Sequence, residues 1–269
     1  MRKILFSVIS LSFFISTTRA QSYKSTYTFQ KNVYTVAALQ VPYPENVVSE
    51  AIKDYMLSKG YKDTHYKDFM VFRSVSINPA GGKTSDAYFN INQKNHSEKD
   101  ISIITLLPVK NAQTLSPSTV EDRSAINDAL VYLDSLRYNV HSYSIQKEIN
   151  TQQKFVDKIK SKMLDLKNDS GSIAKKIRNY ESDLTQNKID QTTQSQVLNG
   201  IATGDQAALA KAHKKMDKLL DDQTDYEKKI RNYKSDLDKN TADRATEQTL
   251  YDKASQALEA LKQKHLSLK

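Results

Sequence analysis

The chain of 269 residues contains no cysteine. Without a thiol it has no disulfide framework and no thiolate metal site, and it offers no cysteine for a lipid anchor. Long apolar runs are also scarce, because only residues 4–15 form one and nothing after them is apolar enough to cross a bilayer. We therefore expect no transmembrane segment in the mature chain.

Residues 1–20 have the pattern of a secretory signal peptide. Arg2 and Lys3 precede the apolar run, and Thr18-Arg19-Ala20 places small residues at the two positions of a cleavage site. The run is short for a membrane span, which makes an uncleaved anchor the weaker alternative. We predict cleavage before Gln21, export through the Sec pathway, and a soluble protein in the periplasm or outside the cell.

Motifs of catalysis and phosphate binding are missing. No serine lies in a Gly-x-Ser-x-Gly elbow. Gly81-Gly82-Lys83-Thr84 resembles the end of a phosphate-binding loop, but it leads into a predicted strand rather than a helix, so we interpret it as a hairpin turn. Adjacent acids such as Asp221-Asp222 point about 100° apart on a helix and do not converge on one bond.

The histidines do not form a metal site. They include no His-x-x-x-His pair, and no carboxylate completes a ligand set around His65, His96, His141, His213 or His265. We interpret the first four as surface residues and His265 as a partly buried structural residue. The prediction is no catalytic residue, no cofactor, no metal and no small-molecule ligand. An enzyme with a pocket in the N-terminal half is the alternative left open.

The charge of the chain is basic but well mixed. The formal net charge is +9, and it becomes +6 when Arg2, Lys3 and Arg19 leave with residues 1–20. Residues 143–269 contain 24 Lys or Arg and 19 Asp or Glu, which alternate along the chain. A nucleic-acid-binding face would concentrate its cations, so we interpret these charges as solvated coiled-coil flanks and expect no nucleic-acid partner.

Residues 33–140 have the alternation and the turn residues of a small α+β domain. The predicted helix is 45–59, with Gly60 as a left-handed cap residue, and the predicted strands are 33–41, 69–77, 87–91 and 101–107. The hairpin connections are predicted at 78–82 and 95–97. The predicted order is βαβββ.

A second helix is predicted after Pro117. Ser118-Thr119-Val120-Glu121 has the capping-box pattern. An apolar face that suits docking on the sheet follows at Ile126, Leu130, Leu133, Leu136 and Val140. We expect the helix to continue through a boundary near Tyr143. The predicted domains are a signal peptide at 1–20, an α/β head at 21–142 and an antiparallel coiled-coil hairpin at 143–269.

The C-terminal half has the a/d spacing of a coiled coil. Spacings of three and four residues alternate from Val156 to Leu184 and again from Leu209 to Leu268. Several seam positions are polar: Asn187, Gln191, Gln194, Asn240 and Arg244. Such residues lower the stability of a coiled coil and help to fix its register or its number of helices. Alternatively, they mark where the hairpin opens to a third helix or to a client protein. We interpret the seam tyrosines as core side chains rather than a stacking ladder for sugars or bases: Tyr180, Tyr226, Tyr233 and Tyr251.

The two seams share an internal repeat. Residues 175–184 match residues 228–237 at nine of ten positions. A Gly-containing stretch separates the copies, so a turn is predicted near 199–205 with Asp205 as the cap of the second helix. Centring the turn between Ile201 and Ala202 pairs Leu184 with Leu219, Ile173 with Ile230 and Leu166 with Leu237.

This layout resembles exported proteins of Bacteroidota-type Gram-negative bacteria that carry a small α/β head and a Lys-rich coiled-coil tail. The residues concerned in the head are Asp86-Ala87-Tyr88-Phe89 and Asp100-Ile101-Ser102-Ile103. The basic hairpin is also similar in outline to the Skp/OmpH periplasmic holdases, whose helical arms enclose unfolded outer-membrane proteins. That family completes a β-built body with strands on both sides of its arms, whereas nothing strand-like follows Leu268.

From these features we predict a non-enzymatic, exported cell-envelope protein. Its hairpin would act as a coiled-coil scaffold, spacer or protein-interaction module, with a protein partner or self-association. The alternative is a periplasmic holdase-type chaperone that binds unfolded clients with its helical arms. Whether the hairpin closes within one chain or between chains is open, because an isologous dimer would use the same seam.

Overall fold

The computed structural model describes residues 21–78, 83–110, 123–202 and 205–268. The predicted signal peptide, most of the predicted turn at 78–82, and the predicted capping box at 118–121 lie outside these ranges. Contacts divide the chain into an N-terminal unit that ends at Lys147 and a helical unit, Glu148–Ser267. The fold class is α+β, as predicted.

The N-terminal unit contains a six-stranded antiparallel sheet of order β1-β2-β6-β5-β4-β3. Its strands are β1 (Tyr23–Phe29), β2 (Asn32–Val41), β3 (Asp63–Tyr66), β4 (Phe69–Asn78), β5 (Lys83–Gln93) and β6 (Ser102–Val109). Helix α1 (Glu45–Ser58) connects β2 to β3, and helix α2 begins at Arg123. Gly60 follows α1 with φ +87°, the left-handed conformation predicted for it.

Two of these strands were not predicted. Strand β1 has no Val, Ile or Leu, and β3 has only four residues, so neither carries a strong apolar alternation. The turn between β1 and β2 consists of Gln30 and Lys31, at φ 50° and φ 66°. Such two-residue turns normally contain Asn-Gly or Asp-Gly, and that turn signal is missing here.

The main core lies between one face of the sheet and the two helices. Val48, Ile52 and Met56 of α1 are fully buried against it. The first part of α2 contributes Ala129, Leu133, Leu136 and Val140 to the same cluster, with Leu130 packed at its edge. The predicted docking of this apolar helix face on the sheet is therefore confirmed.

A second core lies on the other face of the sheet. It contains Phe29, Tyr34, Val36, Phe69, Val71, Tyr88, Leu107 and Val109. The rings of Phe29 and Phe69 are 5.4 Å apart although β1 is one edge strand and β4 lies next to the other. The sheet therefore curls until its two edges enclose this core.

The helical unit is an antiparallel pair of long helices. Its first arm is the part of α2 (Arg123–Gly200) that begins at Glu148, and its second arm is α3 (Gln206–Leu266). The Asp205 side chain accepts a 3.0 Å hydrogen bond from the Ala208 amide, which confirms the predicted cap. At 1.5 Å per residue, α3 is about 90 Å long.

The register of the arms differs from the predicted pairing by one helical turn. Asn240, rather than Leu237, lies beside Leu166, and its Nδ2 donates to the Leu166 carbonyl at 3.0 Å. The cause is the position of the connection. Helix α2 continues through Gly200 and α3 begins at Gln206, so the midpoint between the two helices lies one and a half residues later in the sequence than predicted. Because the arms are antiparallel, a shift of this midpoint by one and a half residues changes the partner of each residue by twice that number.

Candidate interaction surface of the helical hairpin

The buried residues of the helical unit follow the predicted seams. Among the buried seam side chains are Val156, Ile159, Ile177, Ala212, Ile230, Ala254 and Leu258. Each lies at an a or d position, so these seven side chains face the other arm rather than solvent. The narrow apolar stripe holds the two arms together.

Side-chain amides also form hydrogen bonds between the arms, and these bonds are spaced by whole numbers of heptads along each helix. Gln152 donates to the Ala254 carbonyl at 2.9 Å, Gln194 donates to the Ala212 carbonyl at 3.0 Å, and Asn240 donates to the Leu166 carbonyl. A helical carbonyl retains a free lone pair for such a bond. All three bonds fit one and the same register of the two arms.

Gln191 occupies a further polar layer. Its Nε2 donates at 2.7 Å both to Asn187 on its own helix and to Gln223 on the other arm. Gln223 in turn donates to Glu227 at 2.9 Å. This layer is connected across the arms, as the prediction of register-fixing polar residues requires.

The internal repeat pairs with itself. Tyr180 and Tyr233 are equivalent residues of the two copies, and their rings stack at 5.8 Å with an interplanar angle of 12°. Lys176 lies 5.2 Å from the Tyr233 ring centre, and its equivalent Lys229 lies 5.2 Å from the Tyr180 ring centre. The two copies are therefore related by a local two-fold arrangement, and these tyrosines pack between the arms as predicted.

The seam of α3 becomes polar in the C-terminal half of the helix. Asn240, Arg244 and Glu247 occupy three successive seam positions of α3. Glu247 is only 7% exposed and binds Lys162 across the arms. Asn240 keeps a buried Oδ1 that has no hydrogen-bond partner. These three residues therefore interrupt the apolar stripe of α3 at successive seam positions.

A groove of about 850 Å³ runs along one flank of this polar stretch. We call it the basic groove; its lining includes Lys160, Met163, Leu164, Lys167, Arg244 and Ala245. Leu164 is 57% exposed. All six residues lie at a, b or e positions, so the groove follows the flank where the e positions of the two arms face each other.

Sequence reasoning did not find this groove. It identified Arg244 as a polar seam residue but missed Leu164, which lies at position b, one residue beyond the seam. The available signal was an apolar residue at an outer position with lysines three or four residues away on both sides, at 160 and 167. Such single exposed leucines are common, and the groove becomes evident only when the second arm is in place.

In the N-terminal unit the buried polar groups hold a β-bulge. Asp86, 3% exposed, accepts hydrogen bonds from the Arg73 guanidinium and from the Ser74 amide. Ser74 has φ 53° and lies where the register of β4 and β5 shifts. Arg73 also donates to the Tyr88 hydroxyl at 3.3 Å. This carboxylate is satisfied within the protein and fixes the bend of β4.

The histidines are dispersed in the structure as in the sequence. His65, His96 and His213 are exposed. His141 is partly buried and its Nδ1 binds the Tyr43 hydroxyl, so its interpretation as a surface residue was wrong. His265 is partly buried, as predicted. In the described ranges, no group of three or more His, Asp or Glu side chains is placed to bind a metal ion.

The comparisons with known proteins do not assign the chain to a family. Neither a scan against protein-family models nor a search of curated proteins finds a match to the chain. Among the helices that the structure describes, none combines the length and the apolar character needed to cross a membrane.

Proposed function

We propose that this chain is a non-enzymatic, exported cell-envelope protein whose helical hairpin binds other protein segments. The observation that carries the proposal is the basic groove beside the three polar seam residues of α3, Asn240, Arg244 and Glu247. It offers exposed apolar side chains rimmed by cations along a rigid pair of helices, which is the form of surface that receives an amphipathic segment. The hairpin acts as a scaffold or spacer whose mechanism is binding.

Site-specific photo-cross-linking in the producing cells tests this proposal. A photoreactive residue in place of Leu164 should give discrete adducts of defined mass. The same residue in place of Asp165, which lies at the outer position c, is the matched control and should give few or none. Equal and diffuse labelling from both positions would contradict a specific interaction surface.

A holdase-type chaperone is the second candidate. It is favoured by apolar side chains exposed along the first arm, which include Phe155, Leu164, Ile189 and Val197. Cationic arms with scattered apolar contacts suit unfolded clients, as in the Skp/OmpH outline described above. A substoichiometric amount of the chain should then suppress light scattering by chemically denatured citrate synthase on dilution. No suppression at a tenfold molar excess would eliminate this candidate.

A further inference from the structure

The basic groove carries positive charge that is not neutralised within the hairpin. Its lining contains three cations, Lys160, Lys167 and Arg244, and one acid, Asp157. In the described ranges, none of the three cations forms an ion pair, and all three residues are exposed. A ligand with negative charge could therefore pair with them.

The same lining offers an apolar surface. Met163 and Leu164 contribute to it from the first arm and Ala245 from α3. Leu164 is 57% exposed and lies one helical turn from each of the two lysines on its own arm. A ligand in the groove can therefore bury apolar atoms and meet cations at the same time.

The charge is distributed unequally between the two sides of the groove. Lys160 and Lys167 lie at successive e positions of the first arm, seven residues apart. The e residues of α3 that line the opposite side, Thr241 and Gln248, are uncharged. The attraction for a negative ligand is therefore strongest along the first arm.

Beyond the lining, the outer rim on the α3 side is acidic. Asp238 and Asp252 are exposed at b positions, each one helical turn from an e residue of the groove. They would repel a carboxylate placed on that side. The negative groups of a ligand are therefore restricted to the side of the first arm.

We propose that the occupant of the basic groove is an amphipathic α-helix of another protein that carries acidic residues along one edge. The inference rests on the proposed function and names the chemistry of its partner. The apolar residues of the helix pack on Met163, Leu164 and Ala245. Its acidic edge lies over Lys160 and Lys167, and its other edge, over α3, is uncharged or basic.

The spacing of the lysines favours a helix over an extended strand. Seven residues at 1.5 Å each place Lys160 and Lys167 about 10.5 Å apart along the arm. Residues seven apart on a second helix share one face and have the same spacing. In a strand, residues on one face recur at about 6.7 or 13.3 Å, which does not match.

The length of the groove predicts a short contact. On the first arm its lining extends from residue 157 to residue 167, which is about 15 Å or three helical turns. A three-turn helix fills it, and so small an interface is typical of a transient complex.

Fluorescence anisotropy on the full chain tests the inference with two labelled synthetic peptides of about three heptads. Both have Leu at a and d positions and uncharged polar residues elsewhere, except that one has Glu and the other Lys at every e position. The Glu peptide should bind at least tenfold more tightly at about 50 mM salt, and the preference should shrink at about 500 mM. The variant Lys160→Glu/Lys167→Glu should abolish it.

A matched control is Lys154→Glu/Lys158→Glu, which changes the net charge equally at the outer positions f and c of the first arm. It should retain the preference for the Glu peptide. Equal binding of the two peptides by the wild type, binding of neither, or the same loss in the control as in the groove variant would overturn the inference.

The photo-cross-linking experiment at position 164 distinguishes failure of this inference from failure of the proposed function. Diffuse labelling contradicts the proposed function itself. Discrete adducts whose cross-linked segments are basic, or belong to a second copy of this chain, contradict only the partner named here.

Discussion

Glu181 and Lys234 occupy the same position in the two copies of the internal repeat, and their side chains form a 3.0 Å ion pair between the arms. They are the one position of ten at which the copies differ. Because the copies pair about a local two-fold arrangement, identical residues here would place like charges together. The single difference between the copies therefore converts a repulsion into an attraction.

Reversing one partner tests this relationship. Glu181→Lys should lower the free energy of unfolding by no more than about 1 kcal/mol, because both side chains are about half exposed and solvent screens the pair. The double variant Glu181→Lys/Lys234→Glu should restore it. Urea unfolding followed by circular dichroism measures both. Asp165→Lys, at an outer position, is the control for the change in charge, and an equal loss there would contradict the pairing.

Asn240 provides the second prediction. It is 7% exposed, donates one hydrogen bond to the Leu166 carbonyl, and retains a buried oxygen without a partner. Asn240→Leu removes that unsatisfied oxygen and adds apolar burial at a seam position, so stability should rise by about 1 kcal/mol. The urea midpoint measures the change. The exposed residue Asn232, about two turns earlier, gives the control Asn232→Leu, which should change little. A loss of stability in Asn240→Leu would mean that the cross-arm bond outweighs the unpaired oxygen.

The turn between β1 and β2 provides the third prediction. Gln30 and Lys31 both have left-handed φ values, which cost about 1 kcal/mol or more for residues other than glycine and asparagine. Gln30→Asn/Lys31→Gly should therefore raise the melting temperature, with a gain of about 0.5–1 kcal/mol. Lys24→Gly, within β1, makes the Lys-to-Gly change in extended backbone and should destabilise. Equal effects of the two glycine substitutions would contradict the argument from φ.

The sequence predicted those parts of the fold that depend on spacing alone. The two seams, the docking face from Ile126 to Val140 and the cap at Asp205 follow from periodicity and local chemistry, and the structure contains all three. The predicted register of the two arms was wrong because the register depends on where α2 ends and where α3 begins. Gly200 remains helical against its own low propensity.

The features that escaped prediction depend on neighbours that are distant in sequence. Strand β1 is stabilised by pairing with β2 and by the ring contacts of Phe29, not by an apolar alternation of its own. The bulge at Ser74 needs the carboxylate of Asp86 from the adjacent strand. Likewise the basic groove exists only when Leu164 and Ala245 come together from opposite arms. One-dimensional patterns contain none of these relationships.

The fourth prediction concerns pH and the contact between α1 and α2. The hydrogen bond from Lys147, 2.6 Å from a Glu50 oxygen, lowers the pKa of Glu50 below its ordinary value of 4.5, and Tyr143 donates to the same oxygen. A lowered folded-state pKa contributes stability above about pH 4.5, and this contribution disappears as the pH falls through the folded-state value. The pair is largely exposed, so the contribution should stay below about 1 kcal/mol.

A double-mutant cycle isolates this contribution. Glu50→Gln should lower the urea midpoint at pH 7, and its effect should be smaller at pH 3, because the wild-type carboxylate takes up protons as the pH falls. In a Lys147→Met background, the same substitution should have a much smaller effect at pH 7, because the main cause of the shifted pKa is gone. An effect of Glu50→Gln that is equal at both pH values, or unchanged without Lys147, would show that the ion pair does not link stability to pH. In that case the side chain of Glu50 would act through packing with α2 alone.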